Sequence, residues 1–120
     1  MKKVILILAV VLTSFTMVAQ NITGNWNGKF NLHGKELKVV FHISKSQKGF
    51  KATMDSPNQK SYGIPVTVTN LNDSILKLEI SKAGIEYLGT VDKENNFVGI
   101  INLKQTQQFY PLILSKNEED

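Results

Sequence analysis

Apolar and polar residues alternate along most of the chain after residue 20. In residues 37–44, for example, apolar side chains occupy positions 37, 39, 41 and 43, while positions 38, 42 and 44 are polar. A period of two places one set of side chains on each face of a β-strand. The pattern recurs and predicts eight strands, at residues 22–33, 36–44, 49–55, 64–71, 74–81, 85–92, 96–104 and 107–115.

Residues that favour tight turns separate these segments. Gly49, Asp73, Gly84 and Asn95 each lie at the junction of two predicted strands, where glycine, asparagine and aspartate close hairpins. Because strands joined by short turns pair with their neighbours in sequence, we expect an all-β, antiparallel, up-and-down arrangement. About eight strands are enough to close a small barrel, and glycines inside the strands favour the necessary curvature. A β-sandwich is the alternative.

Residues 1–19 differ from the rest of the chain. Two lysines follow Met1, an unbroken apolar run covers residues 4–12, and the small residue Ala19 ends the segment. This is the layout of a secretory signal peptide, and the apolar run is shorter than the roughly 20 residues of a membrane-spanning helix. We therefore expect cleavage near Ala19, a β-barrel domain at 20–115 and a disordered tail at 116–120. The mature protein would be periplasmic or secreted, without a stable membrane anchor; an uncleaved anchor is the alternative.

Composition excludes several classes of protein. The 120 residues include 14 lysines, no arginine, 10 acidic residues and no cysteine. Without cysteine the chain has no disulfide scaffold, thiolate zinc site or cysteine nucleophile. Without arginine it lacks the side chain best suited to bases and phosphates, so no nucleic-acid partner is expected. Lysines concentrate in the first half of the mature chain, where they indicate a solvated face with a weak attraction for acidic surfaces: Lys29, Lys35, Lys38, Lys45, Lys48 and Lys51.

Candidate catalytic groups are sparse. No serine lies in a Gly-x-Ser-x-Gly elbow. His33, His42 and Glu36 are residue types that bind zinc, but their spacing matches no ligand pattern, and two surface histidines are the preferred interpretation. Residues 92–96 lack the central glycine and closing glutamate of a calcium loop, so a hairpin turn is expected there. We therefore predict no catalytic residue, no metal site and no cofactor.

Two groups of residues are candidates for binding. Trp26 is expected to plug one end of the barrel core; its alternative role is in a pocket for a small apolar ligand, lined by Trp26, Phe41, Tyr87 and Phe97. The loop at 56–62 is longer than the other connections, and an ordered long loop often packs against the fold or binds a partner. The expected contact element is its beginning, Asp55, Ser56, Pro57 and Asn58, with simple loop packing as the alternative.

Two resemblances follow from particular segments. Gly24-Asn-Trp-Asn-Gly28 resembles the Gly-x-Trp opening of lipocalin-type barrels. More broadly, the mature chain resembles the β-rich leader domain of certain secreted bacterial α/β-hydrolases, in which this module follows the signal peptide and precedes the catalytic domain. The segments that carry this resemblance are residues 22–28, 37–44, 53–59, 63–66 and 85–89, of which Thr53-Met-Asp-Ser-Pro57 and Gly63-Ile-Pro65 are the more specific.

The resemblance implies a lipocalin-like fold and export. It does not imply hydrolysis, because the nucleophile, acid and histidine of those proteins belong to the later domain and have no counterpart in this chain. We therefore expect a non-catalytic accessory or binding module, whose partner is a separate hydrolase or another exported protein. The alternatives are a carrier of a small apolar ligand inside the barrel and a hydrolase-associated enzyme fragment.

Overall fold

The fold is a single curled antiparallel sheet. The computed structural model describes residues 22–116, which form nine strands and two short 3₁₀ turns, at Pro57–Gln59 and Ser81–Ala83. The strands are β1 Gly24–Leu32, β2 Lys35–Ser46, β3 Gly49–Ser56, β4 Ser61–Pro65, β5 Val68–Asn72, β6 Ile75–Ile80, β7 Ile85–Val91, β8 Phe97–Leu103 and β9 Gln108–Lys116. The all-β prediction is confirmed.

The predicted signal peptide and residues 117–120 of the predicted tail lie outside the described residues, whereas Lys116 is the last residue of β9. Within residues 22–116, no helix has the length and apolar character needed to cross a membrane.

The strand order explains the barrel-like curvature. Across the sheet the strands run β4-β3-β2-β1-β9-β8-β7-β6-β5, and every neighbouring pair is antiparallel. The first and last strands are therefore neighbours, with Trp26 opposite Lys116 and Asn27 opposite Ser115. The two edge strands, β4 and β5, are consecutive in the chain. The sheet must curl to bring these edges together, which gives a half-barrel with a seam between β4 and β5.

The ninth strand comes from a break inside the predicted strand 64–71. Here the chain crosses from one edge of the sheet to the other: the Val66 N–H donates to Ala52 O on β3 at 3.1 Å, and the Thr67 N–H donates to Glu79 O on β6 at 2.6 Å. Pro65 is the last residue of β4, and a residue without an N–H is tolerated there because β4 is an edge strand. The predicted loop 56–62 is correspondingly shorter, since β4 already begins at Ser61.

The concave face of the sheet holds a hydrophobic core, to which inward residues of β1–β3 and of β6–β9 contribute. Trp26 donates its indole N–H to Ile22 O at 2.8 Å and meets the ring of Phe97 edge-on, with the ring centroids 4.9 Å apart. Edge-to-face pairs of this kind contribute about 0.5–1.5 kcal/mol beyond the burial of their area. Trp26 therefore belongs to the core, the role preferred from the sequence.

Glycine is needed where β7 and β8 cross the core. Gly99 lies opposite Gly89 in the register, and a Cβ at position 99 would collide with the backbone of Leu88 and with the Cα of Gly89. The Tyr87 ring covers Gly89, whose own Cβ would collide with that ring. Close backbone approach is the expected reason for glycine inside a strand.

Candidate functional site

His42 is at the centre of a polar network on the outer face of β1, β2 and β3. The strand register places it opposite Asn25 on one side and Thr53 on the other. Its Nε2 lies 2.8 Å from Asp55 Oδ2, and its Nδ1 lies 2.6 Å from Asn25 Oδ1. The second carboxylate oxygen of Asp55 accepts the Gly63 N–H at 2.8 Å. This network therefore links β1, β2 and β3 to the middle of β4.

The network keeps Asp55 ionised. The hydrogen bond from His42, followed by that from the Gly63 N–H, lowers the pKa of the Asp55 carboxyl below its usual value. Hydrogen bonds to the charged form of a carboxyl group always act in this direction. Asp55 consequently stabilises the fold at neutral pH, and this stabilisation is lost as the pH falls through the lowered pKa.

Both ring nitrogens of His42 face oxygens of its own chain. A general base or a metal ligand needs one ring nitrogen that faces a substrate, a nucleophile or an ion. Here an asparagine oxygen faces one nitrogen and a carboxylate faces the other. His33 lies at the tip of the β1–β2 hairpin, about 25 Å along the strands from His42 at roughly 3.3 Å per residue. Within residues 22–116 no three histidine or acidic side chains gather into a metal-binding group.

The predicted contact element is held by side-chain hydrogen bonds. Ser56 is buried at the end of β3 and its hydroxyl donates to Gln59 Oε1 at 2.8 Å. Asn58, in the 3₁₀ turn, accepts the Lys38 N–H from β2 at 2.9 Å. A buried serine already engaged in this way is poorly placed to act as a nucleophile. Pro57 and Asn58 instead form a fixed corner beside β2.

Two surface hollows meet at this corner. One, of about 540 Å³, has the apolar side chains of Leu32 and Leu37 in its lining together with polar residues. The other is about 410 Å³. Glu36 and Asn58 belong to both. The remaining residues are His33, Lys35 and Gln59 in the first hollow, and Lys29, Lys38 and Pro57 in the second. We call the residues lining both hollows the corner site.

Charge divides the described part of the chain into two halves. Residues 22–66, which contain β1–β4, carry seven lysines and two carboxylates, an excess of +5 with neutral histidines. Residues 67–116, which contain β5–β9, carry five lysines and five carboxylates and are neutral. The corner site lies in the basic half. A further open hollow in that half, of about 740 Å³, includes the three lysines of the β2–β3 hairpin, Lys45, Lys48 and Lys51.

The four aromatic residues predicted to line an internal pocket are brought together in the core. Trp26, Phe41, Tyr87 and Phe97 are all at most 3% exposed. None of them borders the three hollows described above or a fourth, of about 440 Å³, beside His42. This packing favours a structural role for the four rings. The hypothesis of an apolar-ligand carrier would require them to separate, and it stays a prediction.

An apolar surface on the outside of β7, β8 and β9 was not identified from the sequence as a site. Leu88, Ile100 and Pro111 lie directly opposite one another across the three strands, and Val98 lies opposite Ile113. The apolar outer face is defined as Leu88, Val98, Ile100, Phe109, Pro111 and Ile113, all exposed. The sequence contains an indication of this surface, because residues 109–114 are apolar in both alternating sets. Such a run does not show which of the two sets points into the core.

Comparison with protein-family models, with curated proteins and with solved structures finds no match to this chain.

Proposed function

We propose that the protein is an exported, non-catalytic binding module that docks an acidic surface of another exported protein onto its basic half, β1–β4. The observation that carries this proposal is the separation of charge, +5 on residues 22–66 against zero on residues 67–116. A one-sided charge excess speeds the encounter with a partner of opposite sign and orients it before contact. The uneven distribution matters more here than the net charge.

The corner site supplies a place where such a partner could be held. Its linings combine three lysines and one carboxylate, that of Glu36, with two leucines and two side-chain amides. Mixed apolar and polar linings suit a protein side chain, since the apolar part gains from burial and the polar groups fix its orientation. The hydrogen bond between Asn58 and the Lys38 backbone holds this lining in place before a partner arrives. Less ordering is then required on binding.

The chemistry around His42 and Ser56 supports binding over catalysis. Both ring nitrogens of His42 face oxygens of its own chain, and the Ser56 hydroxyl is buried in a hydrogen bond. Generic esterase substrates test this directly. The purified protein should show no turnover that depends on His42 or Ser56, and activity that is lost in both His42→Ala and Ser56→Ala would overturn the proposal.

The resemblance to hydrolase leader domains gives the proposed partner a class, a hydrolase domain encoded on a separate chain. A simpler probe tests the electrostatic part first. A fluorescein-labelled glutamate-rich peptide is titrated with the protein, and anisotropy is followed at low and at physiological salt. We expect saturable binding that weakens as salt rises.

Matched lysine variants decide where the peptide binds. The double variant Lys35→Gln/Lys38→Gln removes two charges from the corner site and should weaken binding severalfold. The control Lys82→Gln/Lys93→Gln removes two exposed charges from the neutral half and should leave binding nearly unchanged. Equal losses in the two double variants would contradict docking on the basic half.

A further inference from the structure

The apolar outer face is a group of neighbouring exposed side chains on three adjacent strands. Leu88 and Val98 are each 46% exposed, Ile100 is 50%, Ile113 is 52% and Phe109 is 65% exposed. Together these side chains present roughly 500 Å² of contiguous apolar surface, which is near the upper end for the largest patch on a monomeric soluble protein. Scattered exposed apolar residues need no explanation, but cross-strand neighbours over three adjacent strands form a continuous surface.

We propose that this face is the interface between two copies of this chain, packed sheet against sheet. Charge favours a second copy as the occupant. The charged residues beside the face form internal ion pairs, with Lys77 Nζ 3.5 Å from Glu86 Oε2 and Lys104 Nζ 3.0 Å from Glu79 Oε2. Two such neutral surfaces do not repel each other, whereas contact between two basic halves would be opposed by +5 on each side.

The area agrees with what a stable dimer needs. Two apolar outer faces would bury about 1,000 Å² of apolar surface, and the polar residues around them would raise this to the standard interface range of about 1,200–2,000 Å². Face-to-face packing of β-sheets, about 10 Å apart, is an ordinary way to bury such surfaces. The arrangement also leaves both basic halves free for the partner proposed above.

Two-fold symmetry predicts where the copies meet. A symmetric dimer uses the same patch on both subunits, so a residue near the axis faces its own copy. The middle strand of the face is β8, which has Ile100 at the centre of the row that runs from Leu88 to Pro111. Position 100 of one copy should therefore lie close to position 100 of the other.

Sedimentation equilibrium tests the proposal on the purified protein, expressed with its own leader so that any export and cleavage are retained. We expect a monomer–dimer equilibrium. Ile100→Glu would place two carboxylates against each other in an apolar interface and should raise the dimer dissociation constant about a hundredfold or more. The control Ser44→Glu adds the same charge to an exposed position on β2, opposite Lys51, and should leave the dimer intact.

Cysteine cross-linking gives an independent test, because the chain contains no cysteine of its own. Under mild oxidation Ile100→Cys should form a disulfide-linked dimer, whereas Ser44→Cys should remain a monomer on denaturing gels. Unchanged circular dichroism and a wild-type midpoint of urea unfolding would show that the variants are folded. A wild-type protein that stays monomeric at several hundred micromolar would overturn the proposal, as would a dimer that Ile100→Glu leaves unaffected.

Discussion

Replacing Tyr87 with phenylalanine removes one buried hydroxyl and little else. The hydroxyl donates towards two backbone carbonyls, Leu112 O at 2.9 Å and Phe97 O at 3.2 Å, and the side chain is fully buried. Burial also raises the pKa of the Tyr87 hydroxyl well above its usual value, so the group remains a donor over the accessible pH range. The Tyr87 hydroxyl therefore links β7 to β8 and β9 from inside the core.

The loss of stability in Tyr87→Phe follows from the number of carbonyls that the hydroxyl contacts. A buried hydrogen bond contributes about 0.5–1.5 kcal/mol net, and an acceptor left without its donor adds to the loss. The hydroxyl proton serves the two carbonyls in turn, so we expect Tyr87→Phe to lower the free energy of unfolding by about 1–2 kcal/mol. With a denaturant dependence of about 1 kcal/mol per molar urea, the midpoint should fall by about 1–2 M.

Intrinsic fluorescence measures this well, because Trp26 is the only tryptophan of the chain and is buried against Phe97. Its emission should shift to longer wavelength as urea exposes it. The matched control is Tyr62→Phe, since Tyr62 is 65% exposed. That variant should stay within about 0.5 kcal/mol of the wild type. If Tyr87→Phe also stayed within that range, or if both variants lost the same amount, the two hydrogen bonds of the Tyr87 hydroxyl would not be stabilising the fold.

Three further stability predictions concern the aromatic core, the polar network around His42 and the close approach of β7 and β8 at Gly99. Trp26→Ala should cost about 3–5 kcal/mol, enough to threaten folding, as measured by circular dichroism during thermal unfolding; a change below about 1 kcal/mol with a loss of binding would give Trp26 a functional role instead. Asp55→Asn should destabilise the protein at pH 7 and reduce its loss of stability below about pH 4, because the lowered pKa makes Asp55 stabilising only while it is ionised. Asp73→Asn, in an exposed turn, is its control and should change the free energy of unfolding at pH 7 by less than about 0.5 kcal/mol. Gly99→Ala should cost about 2 kcal/mol or more through collision with backbone, and wild-type thermal stability in that variant would contradict the close approach of β7 and β8.

The sequence is sufficient to predict strands because alternation and turn chemistry are local properties. Residues 37–44 show their inward set directly, and Gly84 closes its turn with a φ of 67°, as its position between two strands suggests. The position of the seam between β4 and β5, by contrast, does not depend on local sequence alone. Whether the chain between Ile64 and Leu71 continues as one strand depends on hydrogen bonds to Ala52 and Glu79, which are distant in sequence.

The same limit applies to the candidate site. The pairing of His42 with Asp55 depends on the register of β2 against β3, which alternation alone does not determine. The apolar outer face escaped prediction for a different reason. Ile113 and Leu114 are equally apolar, yet the first is half exposed and the second is fully buried, and only the packing of the core distinguishes them. The basic character of the first half, by contrast, is visible in the sequence.

The most direct test of docking on the basic half is a map of the bound surface. Amide resonances of ¹⁵N-labelled protein are followed during titration with the glutamate-rich peptide, at a salt concentration where binding is saturable. The largest shifts should cluster around Lys35, Lys38 and Asn58, and the resonances of the core around Tyr87 should stay unchanged. Shifts concentrated on β5–β9, or in the aromatic core, would contradict docking on the basic half.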